Sequence, residues 1–354
     1  MNIDNLTTDA VALLCRMIEI PSTSRNEHDV ADMLEQCLQQ EYGMDIRRDG
    51  NNLWCIASEY SPDRPTLMLN AHIDTVKPSG SWVRAPFHAT VEGDRIYGLG
   101  SNDDGASVVS LVQAFRILSH TPLAYNLVLA LSAEEEVSGK DGMEHLLTLL
   151  PPIDVALVGE PTGMQPAIAE KGLMVMDLTA NGVAGHAARD EGDNAIYHAL
   201  EDMIWLRDYR FDRISPLLGP VKMTVTIVNA GTQHNVVPDR CTFTVDVRSN
   251  ELYTNEEIYE TVRAHVHSEA KARSFRLSSS HIAPTHPLVR KAVALGRVPF
   301  GSPTLSDQAL MRFPSLKMGP GNSARSHTAD EYIVRGEISE AIAIYLSMLR
   351  DLAL

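Results

Sequence analysis

The sequence predicts an α/β fold in which helices flank a mostly parallel sheet and an α+β domain is inserted. Before Ala169, short apolar runs alternate with helix-like segments. After it, strand-like segments alternate apolar and polar residues, which is typical of an antiparallel sheet with one face in water. The chain has 354 residues, and single hydrophobic cores rarely extend beyond roughly 250 to 300 residues. We therefore expect two domains.

The first domain begins with two amphipathic helices, predicted at residues 8–20 and 27–40 from apolar residues at helical spacing. Pro21 and Gly43 follow as stop signals. Four apolar runs predict strands at residues 52–58, 66–70, 126–132 and 153–158. Helices are predicted between the last three of these strands, at residues 105–118 and 139–150. This alternation predicts parallel pairing with right-handed crossovers.

The inserted domain is expected at residues 169–283. Its predicted strands are 173–179, 222–230 and 240–248, and its predicted helices are 194–206 and 255–272. After Pro284 the chain returns to the first domain, with helices predicted at 287–295 and 335–352. The first domain is therefore expected to consist of residues 1–168 and 284–354.

Composition restricts the possible partners and compartment. The formal net charge is −16, from 30 basic and 46 acidic residues, and such a surface repels nucleic acid and anionic membranes. No apolar stretch approaches the roughly 20 residues of a membrane helix, and residues 1–10 lack the features of a signal peptide. The four scattered cysteines, Cys15, Cys37, Cys55 and Cys241, are typical of reduced, buried thiols. We expect a cytoplasmic protein with a small-molecule ligand.

Imidazole and carboxylate side chains follow the ends of three predicted strands. His72 and Asp74 follow the second strand, Glu135 and Glu136 the third, and Glu160 the fourth. The carboxyl ends of parallel strands meet at one edge of a sheet, where ligands collect. We therefore expect these side chains to share a crevice, although each motif alone is also compatible with a capped loop or a solvated charge run.

Asp103 and His327 complete this set from loops. Asp103 lies in the glycine-rich loop 98–105, where it either caps the following helix or bridges two metals with its two oxygens. No lysine follows the glycines, which disfavours a phosphate-binding loop.

Three adjacent carboxylates at 134–136 repel one another unless cations or protons relieve the repulsion. Two imidazoles and three carboxylates could together hold two divalent metals.

These motifs resemble the M20 family of metallopeptidases and aminoacylases over nearly the whole chain. They occur in family order: His72-Ile73-Asp74-Thr75-Val76, the loop from Gly98 to Asp104, Ala133-Glu134-Glu135-Glu136, Gly159-Glu160-Pro161-Thr162, Gly185-His186-Ala187, Asn235-Val236-Val237-Pro238, Gly319-Pro320-Gly321 and His327. The resemblance implies a zinc-peptidase-like catalytic domain and an inserted lid domain that forms a homodimer. It also implies two divalent metal ions, Zn²⁺ or alternatively Co²⁺.

The resemblance implies a role for each site residue. Five residues would bind metal, with Asp103 bridging both ions, His72 and Glu160 completing one site, and Glu136 and His327 the other. Glu135 would be the general base and Asp74 would orient His72. His186 would stabilise the oxyanion in the partner subunit's site, and Asn235 and Arg248 would contact substrate, Arg248 through its α-carboxylate. The family's lysine is absent after Asp103-Asp104, which leaves the bridging acid open between them; Asp103 occupies the motif's first acidic position.

The substrate prediction rests on residues 302–308, which resemble the acetylornithine deacetylase branch of the family. This implies removal of an acetyl or succinyl group from N-acylornithine during arginine biosynthesis. Asp307 either faces the ornithine cation or closes a turn. The alternatives are a succinyl-diaminopimelate desuccinylase, a dipeptidase or aminopeptidase of the same family, and a metal-free binding scaffold without enzymatic activity.

Overall fold

The computed structural model describes residues 2–354, and the chain divides into two compact units. The first unit consists of Met1–Ile168, His281–Phe300 and Ser306–Leu354. The second consists of Ala169–Ser280 and Gly301–Leu305. The sequence did not predict that 301–305 would group with the second unit.

Seven α-helices lie within residues 2–354: α1 Ile3–Ile18, α2 His28–Gln36, α3 Gly105–Leu118, α4 Ala195–Asp208, α5 Asn255–His265, α6 Pro287–Ala294 and α7 Arg335–Leu349. Short helical turns occur at Cys37–Glu41, Glu135–Val137, Lys140–Glu144, Asp307–Leu310 and Ser323–Arg325. Across the same described range, none of the helices combines the length and apolar character that a membrane crossing requires.

The strands, in chain order, are β1 Arg47–Asp49, β2 Asn52–Ile56, β3 Thr66–His72, β4 Thr90–Glu92, β5 Arg95–Tyr97, β6 Asn126–Ser132, β7 Val155–Pro161, β8 Ala167–Glu170, β9 Met174–Asn181, β10 Gly185–His186, β11 Lys222–Ala230, β12 Val236–Val237, β13 Arg240–Arg248, β14 Glu269–Ala272, β15 Ser280–His281, β16 Phe300–Ser302, β17 Ser315–Gly319 and β18 Tyr332–Val334. The predicted mostly parallel sheet is confirmed.

The main sheet of the first unit has the strand order β1-β2-β6-β3-β7-β17. Strand β3 pairs in parallel with both β6 and β7, and β17 pairs in parallel with β7. Strand β2, which the predicted alternation of strands and helices did not include, is antiparallel to β6. No helix separates β2 from β3, and without a crossover the chain reverses its direction.

Apolar side chains cover both faces of this sheet. On one face α1, α3 and α7 pack together, and α3 is buried on almost every side. The other face is covered by a cluster that includes Trp54, Met143 and Met311. The helix predicted at residues 139–150 is not regular, because Gly142 adopts φ −86° and ψ −129° inside it. A side chain at Gly142 would collide with the carbonyl of Ala133, so tertiary packing overrides the local helical pattern.

The second unit contains a four-stranded antiparallel sheet in the order β11-β13-β9-β14. Residues of β13 alternate between buried and partly exposed, which confirms the predicted sheet with one wet face. Apolar residues of α4 and α5 join the buried face of this sheet in one core. The helix predicted at 255–272 was wrong beyond His265, because Glu269–Ala272 instead forms β14 against β9.

Candidate metal centre

The parallel strands bring three of the chemically important segments to one edge of the main sheet. His72 is the last residue of β3, and Ser132 is paired with it at the end of β6, two residues before the first of the carboxylates at 134–136. Glu160 is the penultimate residue of β7, which pairs with β3 on its other side. The register therefore places these groups together, since all three strands run in the same direction.

His72 is buried, and each of its ring nitrogens has a separate partner. Its Nδ1 lies 2.9 Å from the backbone oxygen of Asp74, and its Nε2 lies 3.2 Å from Oδ1 of Asp103. Donation from Nδ1 to the carbonyl leaves Nε2, the nitrogen that faces Asp103, as the one available to a cation. Although burial opposes it, hydrogen bonding to the Asp103 and Asp74 carboxylates raises the pKa of His72 well above its ordinary value.

The two oxygens of Asp103 face two different imidazoles. Oδ1 lies 3.2 Å from Nε2 of His72, and Oδ2 lies 3.6 Å from Nε2 of His327. The Nε2 atom of His327 is also 3.0 Å from Oε2 of Glu136. His72 is almost completely buried, whereas the His327 side chain is 54% exposed. A carboxylate between two imidazoles is the arrangement that a ligand shared by two cations requires.

Two groups of possible metal ligands result. His72, Asp103 and Glu160 form one, and Asp103, Glu136 and His327 form the other. Within each group, one ligand atom from each residue lies within 4.8 Å of the others. Each group offers one imidazole nitrogen and two carboxylate oxygens, a donor set that suits Zn²⁺ and related divalent ions.

The electrostatics of the pocket also favour cations. Burial raises the pKa of Glu160 well above its ordinary value, and the nearby charge of Asp103 adds to this effect. Burial likewise raises the pKa of Glu135. Such carboxylates are costly to ionise together unless opposite charge compensates them. The residues therefore fit a pair of divalent ions both in donor type and in charge.

Glu135 lies beside the two groups but belongs to neither. Its Oε2 is 3.9 Å from Nε2 of His72, and its side chain is 10% exposed. The turn Glu135–Val137 begins after Glu134, which has a left-handed backbone conformation with φ 57°. This turn directs Glu136 toward His327 while Glu135 remains near His72, so the two adjacent glutamates face different partners.

Asp103 and Asp104, the two acids that the sequence left open as the bridging residue, occupy different environments. Asp103 belongs to both ligand groups, whereas Asp104 belongs to neither. Asp104 is buried, and burial raises the pKa of its carboxyl to about 8. The geometry therefore favours Asp103 as the shared residue.

Two further buried acids lie near the site: Glu331, which the sequence did not identify, and Asp307, which the sequence left open between a substrate contact and a turn. Oε1 of Glu331 accepts the backbone N–H groups of Asn102 and Asp103, at 2.8 and 2.9 Å. Asp307 accepts a hydrogen bond from Oγ of Ser132 and is buried, which favours the structural alternative for this residue over a contact with a substrate cation. Each of these two acids accepts hydrogen bonds from residues more than 170 positions away in the sequence. No local motif signals such contacts.

The predicted substrate residues lie in the second unit. His186 is exposed on β10, and the next residue, Ala187, donates its backbone N–H to the backbone oxygen of Asn235 at 2.9 Å. Arg248 ends β13, and its guanidinium forms two hydrogen bonds with Asp246, at 2.9 and 3.1 Å. His186 and Asn235 are thus neighbours in the structure, while Arg248 has an intramolecular partner.

Comparison with known proteins identifies the protein family. The chain is 30% identical over 378 residues to succinyl-diaminopimelate desuccinylase of Dinoroseobacter shibae, covering 97% of this chain and 99% of that protein. It is 29% identical to the desuccinylase of Cereibacter sphaeroides, with coverage of 97% and 98%.

Solved structures share the fold. Aminopeptidase PepT of Bacillus cereus superimposes with a TM-score of 0.77 at 17% identity, covering 99% of this chain and 98% of that one. A Bacillus subtilis protein described as a dinuclear metal-binding peptidase of the M20 family gives a TM-score of 0.74 at 17% identity, with 98% coverage of both chains. The sequence model for peptidase family M20/M25/M40 matches residues 68–351, which shows that the chain belongs to this family of metal-dependent amide hydrolases.

Proposed function

We propose that this protein is a di-metal amidohydrolase that removes the succinyl group from an N-succinylated diamino acid of the N-succinyl-diaminopimelate type. The observation that carries the proposal is the Asp103 carboxylate, which lies between the imidazoles of His72 and His327 in two ligand groups. Glu135 lies beside these groups without belonging to them. A general base next to two cation sites suits hydrolysis of an unactivated amide.

The relatives support the substrate class. Desuccinylases of this name match the chain at 29% and 30% identity over nearly their whole length. This favours the desuccinylase, which was an alternative from the sequence, over the N-acylornithine substrate expected first. The expected deacetylase activity and place in arginine biosynthesis are not supported by these relatives. A substrate with three carboxylates, two on the diamino acid and one on the succinyl group, and one free amine also distinguishes this proposal from dipeptide hydrolysis.

The ligand assignment follows the two groups. We assign His72 and Glu160 to one ion, Glu136 and His327 to the other, and Asp103 to both. Zn²⁺ is the proposed metal, with Co²⁺ as the alternative, because both accept mixed nitrogen and oxygen donors. Divalent cations in such a site acidify water and polarise an acyl oxygen.

Glu135 is the proposed general base. Its carboxylate takes a proton from the attacking water and then delivers it to the departing amine. Asp74 accepts the backbone N–H of Glu135 at 3.0 Å and thereby holds the turn that presents this side chain. The role requires a carboxylate that is close to the ligand groups but not itself a ligand, and the 3.9 Å distance between Oε2 of Glu135 and Nε2 of His72 supports the assignment.

His186, Asn235 and Arg248 are the proposed substrate residues of the second unit. The exposed imidazole of His186 would stabilise the oxyanion in the partner subunit's site. Arg248 would bind a substrate carboxylate through its planar guanidinium, exchanging its present partner Asp246 for the ligand. The backbone contact between Ala187 and Asn235 supports a shared location for His186 and Asn235.

A homodimer through the second unit is part of the proposal. Strand β11 is at the edge of its sheet, pairing with β13 on one side and with no other strand among residues 2–354. Apolar side chains of β11 and α4 are exposed, namely Ile227, Val228, Leu200 and Ile204. An unpaired edge strand beside an apolar helix face is typical of a surface that is covered in the assembled protein.

We place the reaction in the cytoplasm. The four cysteines are free thiols, and three of them are buried. Free thiols persist in reducing compartments. The net charge of −16 disfavours nucleic acid and anionic membranes as partners, so the proposed partners are a small-molecule substrate and a second copy of the chain.

The proposal is tested with purified protein reconstituted with Zn²⁺ or Co²⁺. We expect kcat/KM for N-succinyl-diaminopimelate to exceed the values for N-acetylornithine, N-succinylornithine and a free dipeptide by at least about 100-fold, equivalent to roughly 2.7 kcal/mol. Faster turnover of N-acetylornithine would reject the substrate but retain the amidohydrolase. Failure to bind metal together with no hydrolysis of any substrate would favour the scaffold.

A further inference from the structure

We propose that Glu331 is a positioning residue that holds the His327 segment against the Asp103 loop and so maintains the second ligand group. The inference rests on the proposed di-metal function and extends it to a residue that contacts neither substrate nor metal in that proposal. The group concerned is Asp103, Glu136 and His327. Two of these residues come from loops, and the buried side chain of Glu331 connects those loops.

Glu331 connects to the Asp103 loop at three points. Its Oε1 accepts the N–H of Asn102 at 2.8 Å and the N–H of Asp103 at 2.9 Å. Its own backbone oxygen accepts the N–H of Gly98 at 3.0 Å. The side chain is only 2% exposed, so water cannot readily replace it as the acceptor. Truncation would leave two buried N–H groups unpaired, which is costly.

Only three residues separate Glu331 from His327, so the same contacts restrain the imidazole. His327 has a left-handed backbone conformation with φ 60°, which an L-residue adopts at a cost. Directly after Glu331, β18 pairs with β5, and this fixes the end of the segment. At the other end, Nδ2 of Asn102 donates to Oγ of Ser326 at 3.2 Å. The His327 segment is therefore bound to the Asp103 loop on both sides.

The two ligand groups depend on Glu331 to different degrees. Asp103 belongs to both groups, but the other two ligands of the first group, His72 and Glu160, lie in β3 and β7, and the pairing of these strands holds them independently of Glu331. His327 lies in a loop with more than half of its side chain exposed. Loss of Glu331 should therefore weaken binding of the second ion more than binding of the first.

The test is calorimetric titration of the metal-free 354-residue chain with Zn²⁺. We expect two ions to bind the wild type. In Glu331→Ala the first ion should bind within about threefold of the wild type, whereas the Kd of the second should rise by about 10- to 100-fold, the range typical for residues that support metal ligands. Glu331→Gln keeps an oxygen that can accept both N–H groups, so both ions should bind within about threefold of the wild type.

Asp202→Ala provides a matched control. Asp202 is also buried and also accepts two backbone N–H groups, from His267 at 2.9 Å and Ser268 at 2.8 Å, but it lies in the second unit. Its loss should lower stability and leave the affinity for both ions unchanged. This separates positioning of the ligands from general destabilisation.

Two results would overturn the inference. One is unchanged binding of the second ion in Glu331→Ala. The other is equally weakened binding of the second ion in Glu331→Gln, which would show that charge rather than hydrogen bonding matters.

If Glu331→Ala does not fold, Glu331→Asp serves instead. Its carboxylate is one methylene shorter and should give the same selective loss, and tight binding of both ions by this variant would reject the role. A wild type that binds fewer than two ions would instead reject the proposed function.

Discussion

The Asp74 carboxylate accepts the backbone N–H of Glu135 at 3.0 Å through Oδ1, the atom that lies 3.3 Å from Nδ1 of His72. Its Oδ2 accepts the N–H of Glu136 at 3.1 Å and the hydroxyl of Ser24 at 2.7 Å. The contacts of the Asp74 carboxylate therefore extend beyond the imidazole of His72. Asp74 connects the end of β3 to the turn that carries the proposed base and one of the proposed ligands.

Removal of the Asp74 carboxylate should lower activity through this turn. In Asp74→Ala the N–H groups of Glu135 and Glu136 lose their acceptors, so we expect kcat/KM to fall by about 10- to 100-fold with weaker metal retention. Steady-state kinetics and metal analysis of the dialysed protein measure both effects. Asp49→Ala is the control, because Asp49 is an exposed residue paired with His145, and it should behave as the wild type. Wild-type activity in Asp74→Ala would contradict the role of Asp74.

Glu135→Gln should separate metal binding from catalysis. The amide preserves the size of the side chain but cannot take a proton from water, so we expect kcat to fall by about 10²- to 10⁴-fold. Metal content should remain that of the wild type, because Glu135 belongs to neither ligand group. Single-substrate kinetics and metal analysis are measured on the same preparation. A variant with most of its activity retained would show that another group is the base.

The elements that the sequence predicted best are those with local signals. Helix α3 and strand β6 have the predicted bounds, because their apolar residues are continuous and turn residues flank them. The convergence of His72 and Glu160 was expected from strand direction alone, and β3 and β7 are indeed neighbours in a parallel sheet. Here a local pattern together with a topological rule was sufficient.

The failures have non-local causes. The irregular segment around Gly142 follows from its close approach to Ala133, and α5 ends early because the following residues pair with β9. The contacts of Glu331 with Asn102 and of Asp307 with Ser132 join distant parts of the chain. Periodicity and spacing describe neighbours in sequence, so they contain no signal for such contacts. The choice between N-acylornithine and the desuccinylase substrate stayed open for a related reason, because the quoted motifs are shared by several branches of the family.

Asp307 should make the stability of the metal-free protein depend on pH. Burial raises the pKa of its carboxyl from 3.8 to about 6, so between these values the folded chain holds a proton that the unfolded chain has released. The stability that this carboxyl contributes is therefore fully present below its pKa in the unfolded chain. It is lost as the pH rises through its pKa in the folded chain. At about 1.4 kcal/mol per pKa unit, the loss is roughly 3 kcal/mol.

Asp307→Asn should remove this dependence while keeping an oxygen that can accept the hydroxyl of Ser132. As the pH rises from 4 to 6.5, the wild type should lose roughly 2 to 3 kcal/mol of unfolding free energy that the variant does not lose. Most of this loss should occur below pH 6. Urea unfolding of both proteins in the presence of a chelator measures the difference. Parallel pH curves for the two proteins would show that Asp307 does not hold the proton.

Metal removal should destabilise the fold as well as abolish activity. Ions that bind only the folded chain stabilise it by about 2.7 kcal/mol at a free concentration of 100 times Kd. Chelation should therefore lower Tm by several degrees, and added Zn²⁺ should restore it. Glu135→Gln should show the same Tm shift as the wild type, whereas Asp103→Asn, which alters both ligand groups, should show little shift. Differential scanning calorimetry distinguishes these outcomes, and a metal-independent Tm in the wild type would contradict the ligand assignment.

The apolar surface of the second unit should control assembly. Ile204 on α4 is 43% exposed, and a glutamate there would place a charge in the proposed interface. We expect Ile204→Glu to be monomeric by sedimentation velocity at concentrations where the wild type is a dimer. Val293→Glu is the control, because Val293 is similarly exposed on α6 of the first unit, and it should remain dimeric.

Loss of the dimer should also abolish turnover if His186 acts in the partner subunit's site. The Ile204→Glu monomer should then retain both metal ions, whose proposed ligands all lie in the first unit, but lose activity. Mixed dimers of His186→Ala and Glu135→Gln chains should recover partial activity, because one of the two sites combines an intact base with an intact histidine. An active monomer, or mixed dimers without any recovery, would show that each chain works with its own His186 or without it.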